Sequence, residues 1–313
     1  MKYIEYLNGL IKAEVMKEDH CVLFGQNIDA GSCLSGLTRN IKVNKHSRIF
    51  NSTNAEYSLT GFGFGLMMNG ASAVFLMKQL DFLLLGIDHI VNTYNIIRNI
   101  HEKYPNGSFT IVPTVVDSGY DGPQSSFNNF NDLCSIARIK GFTVSNKSEA
   151  DYLFANQFLK PGFRIIALSQ RLGKNDIIEN ALPIKIIGNG EIFQYGNGKD
   201  LTVVSSNFSF PQAEKLVETL KKTGVFATHF NISCGLIEDL NPILLNVAMT
   251  KKIIVIDDSK SIQTPVDQVL SQLCGMELQK KIVLKRNLNI DWLCPVSDLF
   301  EIDEAAVLFN LSQ

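Results

Sequence analysis

The stretch NSTNAEYSLTGFGFGLMMNG, Asn51 to Gly70, places a single acid, Glu56, at the head of a glycine-rich apolar run. Read from position alone, Glu56 is a first-turn glutamate that the positive end of a helix dipole would stabilise. Two later stretches also set polar or aromatic side chains among apolar ones. KQLDFLLLGIDHIVN carries Gln79, Phe82, Leu85 and His89, and DSGYDGPQSS, Asp117 to Ser126, carries Gln124 and Ser125. Common catalytic signatures are missing: there is no Walker loop, no HExxH, no nucleophile elbow and no Ser-His-Asp order, which leaves hydrolase and metalloprotease chemistry without support. GFGFG, Gly61 to Gly65, falls inside a helix pattern rather than directly after a strand, so its glycines are expected to allow close helix packing. His20, His46, His101 and His229 read as solvated or interface histidines.

These side chains sit in a chain of 313 residues, 45% hydrophobic and 19% charged, with a formal charge of -2. That length and composition suit two domains with large cores. With no run of like charges, the chain carries no electrostatic footprint for nucleic acid or an anionic membrane, and small molecules or proteins are the expected partners. Six cysteines, at 21, 33, 134, 234, 274 and 294, form neither a CxxC pair nor a cluster with histidine, which favours reduced thiols and a cytoplasmic location. MKYIEYLNGLIKAEVMKEDH has the pattern of an amphipathic helix burying Tyr3, Leu7, Ile11 and Val15, without the apolar block of a signal peptide. The apolar stretch Gly61 to Met77 is interrupted by the turn signal Asn69-Gly70, so a buried helix followed by a buried strand is expected instead of a membrane span.

The elements that must position the polar residues follow from periodicity. CVLFGQ, RIFNST, SAVFLM, FTIVPTVV, GFTVS and FRIIALS are unbroken apolar runs that suit strands of a parallel sheet covered on both faces. LDFLLLGIDHIVNTYNIIRNIHEKYP reads as one long helix stopped by Pro105, and KSEADYLFANQFLKP as another, begun by Ser148 and stopped near Pro161. Ala181 to Asp200, rich in Gly, Asn and Lys, reads as a hairpin-like connection. Beyond it LTVVSSNF, FATHFNI, KKIIVIDDS and KIVLKR alternate with the helices PQAEKLVETLKKTG and PVDQVLSQLCG, where Pro211 suits a helix start and Gly224 a helix end. The expected fold is α/β, with two parallel or mostly parallel sheet domains: residues 1–185 and 200–313, joined by a linker at 186–199.

In order and spacing, VLFGQNID, RIFNSTNAEYSLTGFGFGLMMNGASAVF, DFLLLGIDHIVN, GYDGPQSS and DLTVVSSN through KKIIVIDDS resemble the pyrimidine-binding and C-terminal domains of transketolase-like thiamine-diphosphate enzymes. That group includes transketolase, deoxyxylulose-phosphate synthase and the β subunits of 2-oxo-acid dehydrogenases. The resemblance implies that Glu56 hydrogen-bonds N1′ of the cofactor's aminopyrimidine, favouring the imino tautomer whose 4′-nitrogen removes the thiazolium C2 proton. Such a carboxyl must be protonated or share its proton in a dry pocket, where burial disfavours its charge. Phe82 corresponds to the aromatic that stacks on the aminopyrimidine, with Gln79 and Leu85 as neighbouring wall positions.

Three positions depart from the family pattern. The histidine of the family's Gly-Pro-Thr-His-Gln falls on Ser125, which cannot serve as a general acid or base near neutral pH as imidazole can. Gln26 stands where an acid often follows the first strand's glycine, and Leu85 where the wall residue is polar or aromatic. Helical spacing from Phe82 and Leu85 makes His89 a candidate replacement for the missing histidine. Ser125, Gln124 and His89 are therefore the substrate-side candidates, with Lys78 and Arg171 as further contacts for which surface or structural roles fit better. No Gly-Asp-Gly occurs in the chain, although the family holds Mg²⁺ and the diphosphate through a Gly-Asp-Gly…Asn motif. The resemblance thus implies a partner subunit carrying that domain, an α2β2 assembly with β–β contact, and no activity for this chain alone. It leaves three readings: a split transketolase acting on a ketose or 2-oxo acid, the β subunit of a 2-oxo-acid dehydrogenase, or a non-catalytic paralogue of either.

Overall fold

The computed structural model describes residues 1–100, 107–118, 122, 125–286 and 300–313. His101, Pro105, Gln124 and most of GYDGPQ lie outside the described residues. Helix α1 (Tyr3–Val15) buries the predicted stripe Tyr3, Leu7, Ile11 and Val15. Strands β1 (Cys21–Gly25) and β2 (Arg48–Asn51) lead to α2 (Glu56–Met68) and β3 (Ser72–Met77), the helix-then-strand expected of Gly61 to Met77. After α3 (Tyr94–Ile100) come β4 (Ser108–Val115), α4 (Phe130–Ala137), β5 (Gly141–Val144), α5 (Lys147–Leu153), β6 (Gly162–Ser169) and the single turn α6 (Gln170–Gly173). The first sheet runs β2-β1-β3-β4-β6-β5, and every pair in it is parallel.

The second half contains β7 (Lys185–Ile187), β8 (Ile192–Tyr195), β9 (Leu201–Ser206), α7 (Phe210–Lys222), β10 (Ala227–Ile232), α8 (Asn241–Thr250), β11 (Lys252–Asp257), α9 (Pro265–Gln272), β12 (Lys280–Lys285) and α10 (Glu304–Ser312). Its sheet runs β12-β11-β9-β10-β8-β7, with β7 and β8 antiparallel to each other and β8 antiparallel to β10. The hairpin expected between Ala181 and Asp200 is therefore present, as two strands at the edge of the second sheet. Pro211 lies at the start of α7, and Gly224 follows its end at φ +85°.

Large side chains on successive strands build an aromatic seam across the first sheet. Phe24, Phe75, Phe109 and Phe163 lie 5.2 to 5.3 Å from one another along the chain Phe24–Phe75 and Phe109–Phe163, with Phe24 and Phe109 6.5 Å apart. Burying each such ring stabilises the fold by about 1.5–3 kcal/mol. Helix α2 reaches this seam through Gly63, where a Cβ would fall 2.2 Å from the Phe109 ring. Close packing, the role expected for the GFGFG glycines, holds for Gly61 against His89 and for Gly63, whereas Gly65 faces open space.

Two local expectations are corrected. The long helix predicted from Leu80 is instead a 3-10 segment at Leu80–Gly86, a π turn at His89–Thr93 and only then α3. The tight first segment brings Gly86 against α2, where a Cβ would meet Thr60 Oγ1 at 2.3 Å. Helix α5 is capped two residues earlier than read: the cap is Asn146, whose side chain accepts from the Glu149 amide at 3.0 Å. Ser148 instead donates to the Ala181 carbonyl at 2.7 Å.

The two sheets meet through polar groups. Thr143 donates its amide to the Ser233 carbonyl at 2.7 Å, and Gly235 to Gly141 at 2.8 Å. Arg171 reaches Asp117 at 3.3 Å and Asp258 at 2.9 Å. Both carboxylates are buried, and burial holds the Asp117 carboxyl above the usual aspartate range, against the opposing pull of Arg171.

Glu149 is buried at the same junction. Its carboxylate accepts from the Ser145 amide, the Tyr195 hydroxyl and the Asn231 amide at 2.7 to 3.0 Å, yet burial pushes its pKa up from 4.5 to about 7. Between those values the folded chain holds a proton that the unfolded chain has lost. This group's contribution is thus fully present below about pH 4.5 and is lost as pH rises through about 7. From pH 5 to 8 the urea midpoint should fall more steeply in wild type than in Glu149→Gln, so that the stability gap between them changes with pH. A pH-independent gap would contradict this assignment.

Candidate functional site

The first sheet's strand order reverses between β1 and β3, and in open parallel sheets ligands sit outside the carboxyl ends of the strands at such a reversal. Gln26 follows β1 there, while Lys78 and Gln79 follow β3. A cavity of about 310 Å³ next to them is lined by Lys78, Gln79, Ser169 and Gln170 among others.

Glu56 is the first residue of α2 and only 7% exposed. Its carbonyl accepts the Thr60 hydroxyl at 2.7 Å, and Gly86 packs against the same turn. The Glu56 carboxylate itself has no hydrogen-bond partner among the described residues. Sequence and structure therefore agree that an acid opens a helix, and the packing adds that the 3-10 segment carrying Phe82 and Leu85 is pressed against its first turn. Phe82 is half-buried against the core, and Leu85 is 61% exposed.

Gln79 and Ser125 are brought together: the Ser125 hydroxyl donates to Gln79 Oε1 at 3.0 Å. Asp81 fixes the segment that carries Ser125, since its Oδ1 accepts the backbone N–H groups of Ser126 and Phe127 at 3.2 Å. Burial raises the Asp81 carboxyl, opposed by those amides, and its Oδ2 is buried without a partner. Sequence reading missed Asp81, although its place two residues after Gln79 was a usable signal. His89 packs on Tyr57 at 4.3 Å and pairs through Nδ1 with Thr93 Oγ1 at 2.8 Å, which places it beside α2 one residue along from Glu56. The described residues show no contact joining Glu56 to Gln79 or Ser125.

Arg171 serves the junction of the two sheets, the structural role that the sequence favoured for it. One reading from the sequence changes. His229 is neither solvated nor at a subunit surface: it is 1% exposed and its Nε2 lies 2.7 Å from Ser205 Oγ. His20 and His46 are exposed, as expected.

Exposed apolar side chains surround the Glu56 turn. Tyr57 is 53% exposed, Leu84 47% and Leu85 61%, an arrangement that commonly marks a surface another protein covers.

Two mostly parallel six-stranded sheets in sequence, with the candidate site at the carboxyl edge of the first, make an α/β fold. No family model matches the chain. It is 21% identical over 312 residues to the 2-oxoisovalerate dehydrogenase subunit beta of Bacillus subtilis (strain 168), covering 90% of this chain and 88% of that protein. It is 22% identical over 279 residues to the pyruvate dehydrogenase E1 component subunit beta of Acholeplasma laidlawii, covering 86% and 83%. Among solved structures it matches a split gene transketolase, an inactive beta4 tetramer, with TM-score 0.71 and 16% identity over 98% of this chain and 97% of the other. A transketolase from Campylobacter jejuni subsp. jejuni NCTC 11168 matches with TM-score 0.61 and 11% identity over 90% of this chain and 40% of that one. Over most of its length the chain is thus similar to the beta subunits of 2-oxo-acid dehydrogenases, and its fold matches that of a split transketolase subunit.

Proposed function

We propose that this chain is the pyrimidine-binding subunit of a split thiamine-diphosphate-dependent transferase of transketolase type, which cleaves and forms carbon–carbon bonds of a ketose or 2-oxo acid together with a partner subunit. The observation that carries this reading is the Glu56 carboxylate: nearly buried, without a partner among the described residues, and bordered by exposed apolar side chains. The residues present fit an aminopyrimidine, because a ring nitrogen can satisfy that carboxyl and Phe82 offers an apolar face. Thiamine diphosphate, when bound, supplies a thiazolium that serves as electron sink.

Glu56 would hold a proton at the pyrimidine N1′, and Phe82, Gln79 and Leu85 would form the wall of that pocket. Ser125, Gln124 and His89 are the substrate-side candidates, with Ser125 oriented by Gln79. Mg²⁺ and the diphosphate are assigned to the partner, because this sequence has no Gly-Asp-Gly. The partner would cover Tyr57, Leu84 and Leu85, in an α2β2 assembly with β–β contact. The five described cysteines, none in a disulfide, support a cytoplasmic location, and the likeness to a split transketolase supports a role in carbohydrate metabolism.

A second reading, the β subunit of a 2-oxo-acid dehydrogenase, is favoured by the sequence relatives, whereas the split-transketolase structure that matches over nearly the whole chain favours the first. Co-expression with the partner separates them. Transfer from a ketose to an aldehyde supports the first reading, acyl transfer to a lipoyl acceptor supports the second, and neither from a folded pair leaves the non-catalytic paralogue.

A further inference from the structure

The second sheet holds a cavity of about 700 Å³ at the amino ends of β9 and β10, against α7. It stands apart from the site around Glu56, and its size suits a small-molecule ligand. His229 and Glu214 line it. His229 Nδ1 and Glu214 Oε2 face each other at 3.6 Å, and both atoms are buried without a hydrogen-bond partner.

A chain of hydrogen bonds behind His229 fixes its tautomer. Asn231 donates from Nδ2 to Glu149 Oε1 at 2.7 Å, which turns its Oδ1 toward Ser205. Ser205 spends its one hydroxyl proton on that Oδ1 at 2.6 Å. Its oxygen can then only accept from His229 Nε2, 2.7 Å away. In the neutral ring the proton is therefore on Nε2, and the buried Nδ1 turns its lone pair toward Glu214 Oε2 at the cavity wall. Facing it is a carboxylate oxygen, so with the ring neutral two acceptors converge with no donor between them. Buried acceptors in that state are costly, and a donor that satisfies both is strongly favoured.

We propose that this cavity binds a small α-amino acid with an apolar side chain, whose ammonium group donates to both His229 Nδ1 and Glu214 Oε2. An ammonium is a compact cation with three donors, and a hydrogen bond to a carboxylate is the stronger kind. Lys199 and Lys221 line the same cavity and supply positive charge for the ligand carboxylate. Val217 and Phe226 supply apolar walls. The bound ammonium would be wired through His229, Ser205 and Asn231 to Glu149 at the junction of the two sheets.

Equilibrium dialysis of the full chain with radiolabelled leucine tests this site. One saturable site per chain is expected, with N-acetyl-leucine, which lacks the ammonium, unable to compete. Affinity falls tenfold or more in Glu214→Gln, whose side chain is partly exposed on α7 and can be replaced without opening the core. His229→Phe, checked for folding by circular dichroism, loses the site. Absence of saturable leucine binding to the folded wild type, equal competition by N-acetyl-leucine, or unchanged affinity in Glu214→Gln would each overturn the assignment. So would a His229 nitrogen NMR spectrum showing Nδ1 already protonated at neutral pH.

Discussion

Glu56→Ala lowers turnover of the reconstituted pair by about a thousandfold, within the range for removing a group that positions a proton in the transition state. The fold survives the change. Glu56 opens α2 with a carboxylate that no described residue uses, so removing it leaves no orphaned donor behind. Only the interaction with the helix dipole is lost, about 0.3–1 kcal/mol. Packing of the turn rests on Thr60 and Gly86, which the substitution leaves in place. Glu56→Gln keeps the shape but cannot cede a proton, and it should lose nearly as much turnover as alanine. Steady-state kinetics on the co-purified pair checks this, and turnover within a few-fold of wild type in both variants would remove Glu56 from the chemistry.

Arg171→Ala destabilises the chain by about 3–5 kcal/mol, because breaking a buried ion pair strands the charges left behind. Arg171 bridges Asp117, which ends the first sheet's strand β4 region, and Asp258, which follows β11 in the second. It also donates to the Phe208 carbonyl at 2.9 Å. Both carboxylates are buried and cannot recover hydration in place. A fall in melting temperature of roughly 10 °C follows for a chain of this size. The deficit should shrink as pH is lowered, since a carboxyl without its cation relieves the penalty by taking up a proton. Arg171→Lys keeps the charge but cannot reach both carboxylates with a planar fork, and it should recover only part of the loss. Thermal melts at pH 5 and pH 8 measure this; a deficit below 1 kcal/mol at both would show that the junction does not depend on Arg171.

Much of the fold was legible because its signals are local. Strands buried on both faces are continuous apolar runs, and SAVFLM and FRIIALS became fully buried parallel strands. The N-terminal helix was legible from Tyr3, Leu7, Ile11 and Val15 at helical spacing. The segment after Gln79 was misread because its apolar residues satisfy a helix pattern, whereas Gly86 must approach Thr60 and the Asp81 carboxylate must hold Ser126. Those requirements come from residues distant in sequence. The same reason hid the burial of His229, which depends on Ser205 and Glu214, and the junction formed by Asp117, Arg171 and Asp258.

At the candidate site, the family resemblance implied Glu56, Gln79, Phe82 and Ser125, and the structure adds the Gln79–Ser125 hydrogen bond and the Gly86 contact. Asp81 escaped notice because an acid among leucines reads as the solvated side of a helix, while here its Oδ1 is committed to two backbone amides. Leu85 and Tyr57 gain meaning only from their exposure beside a nearly buried carboxylate.

If this chain supplies half of a thiamine-diphosphate site and a partner the other half, calorimetric titration of thiamine diphosphate with Mg²⁺ separates the chain alone from the co-purified pair. Saturable binding by the pair at one cofactor per chain, and none by the chain alone, is expected. A folded pair that binds no cofactor would contradict this division of the site.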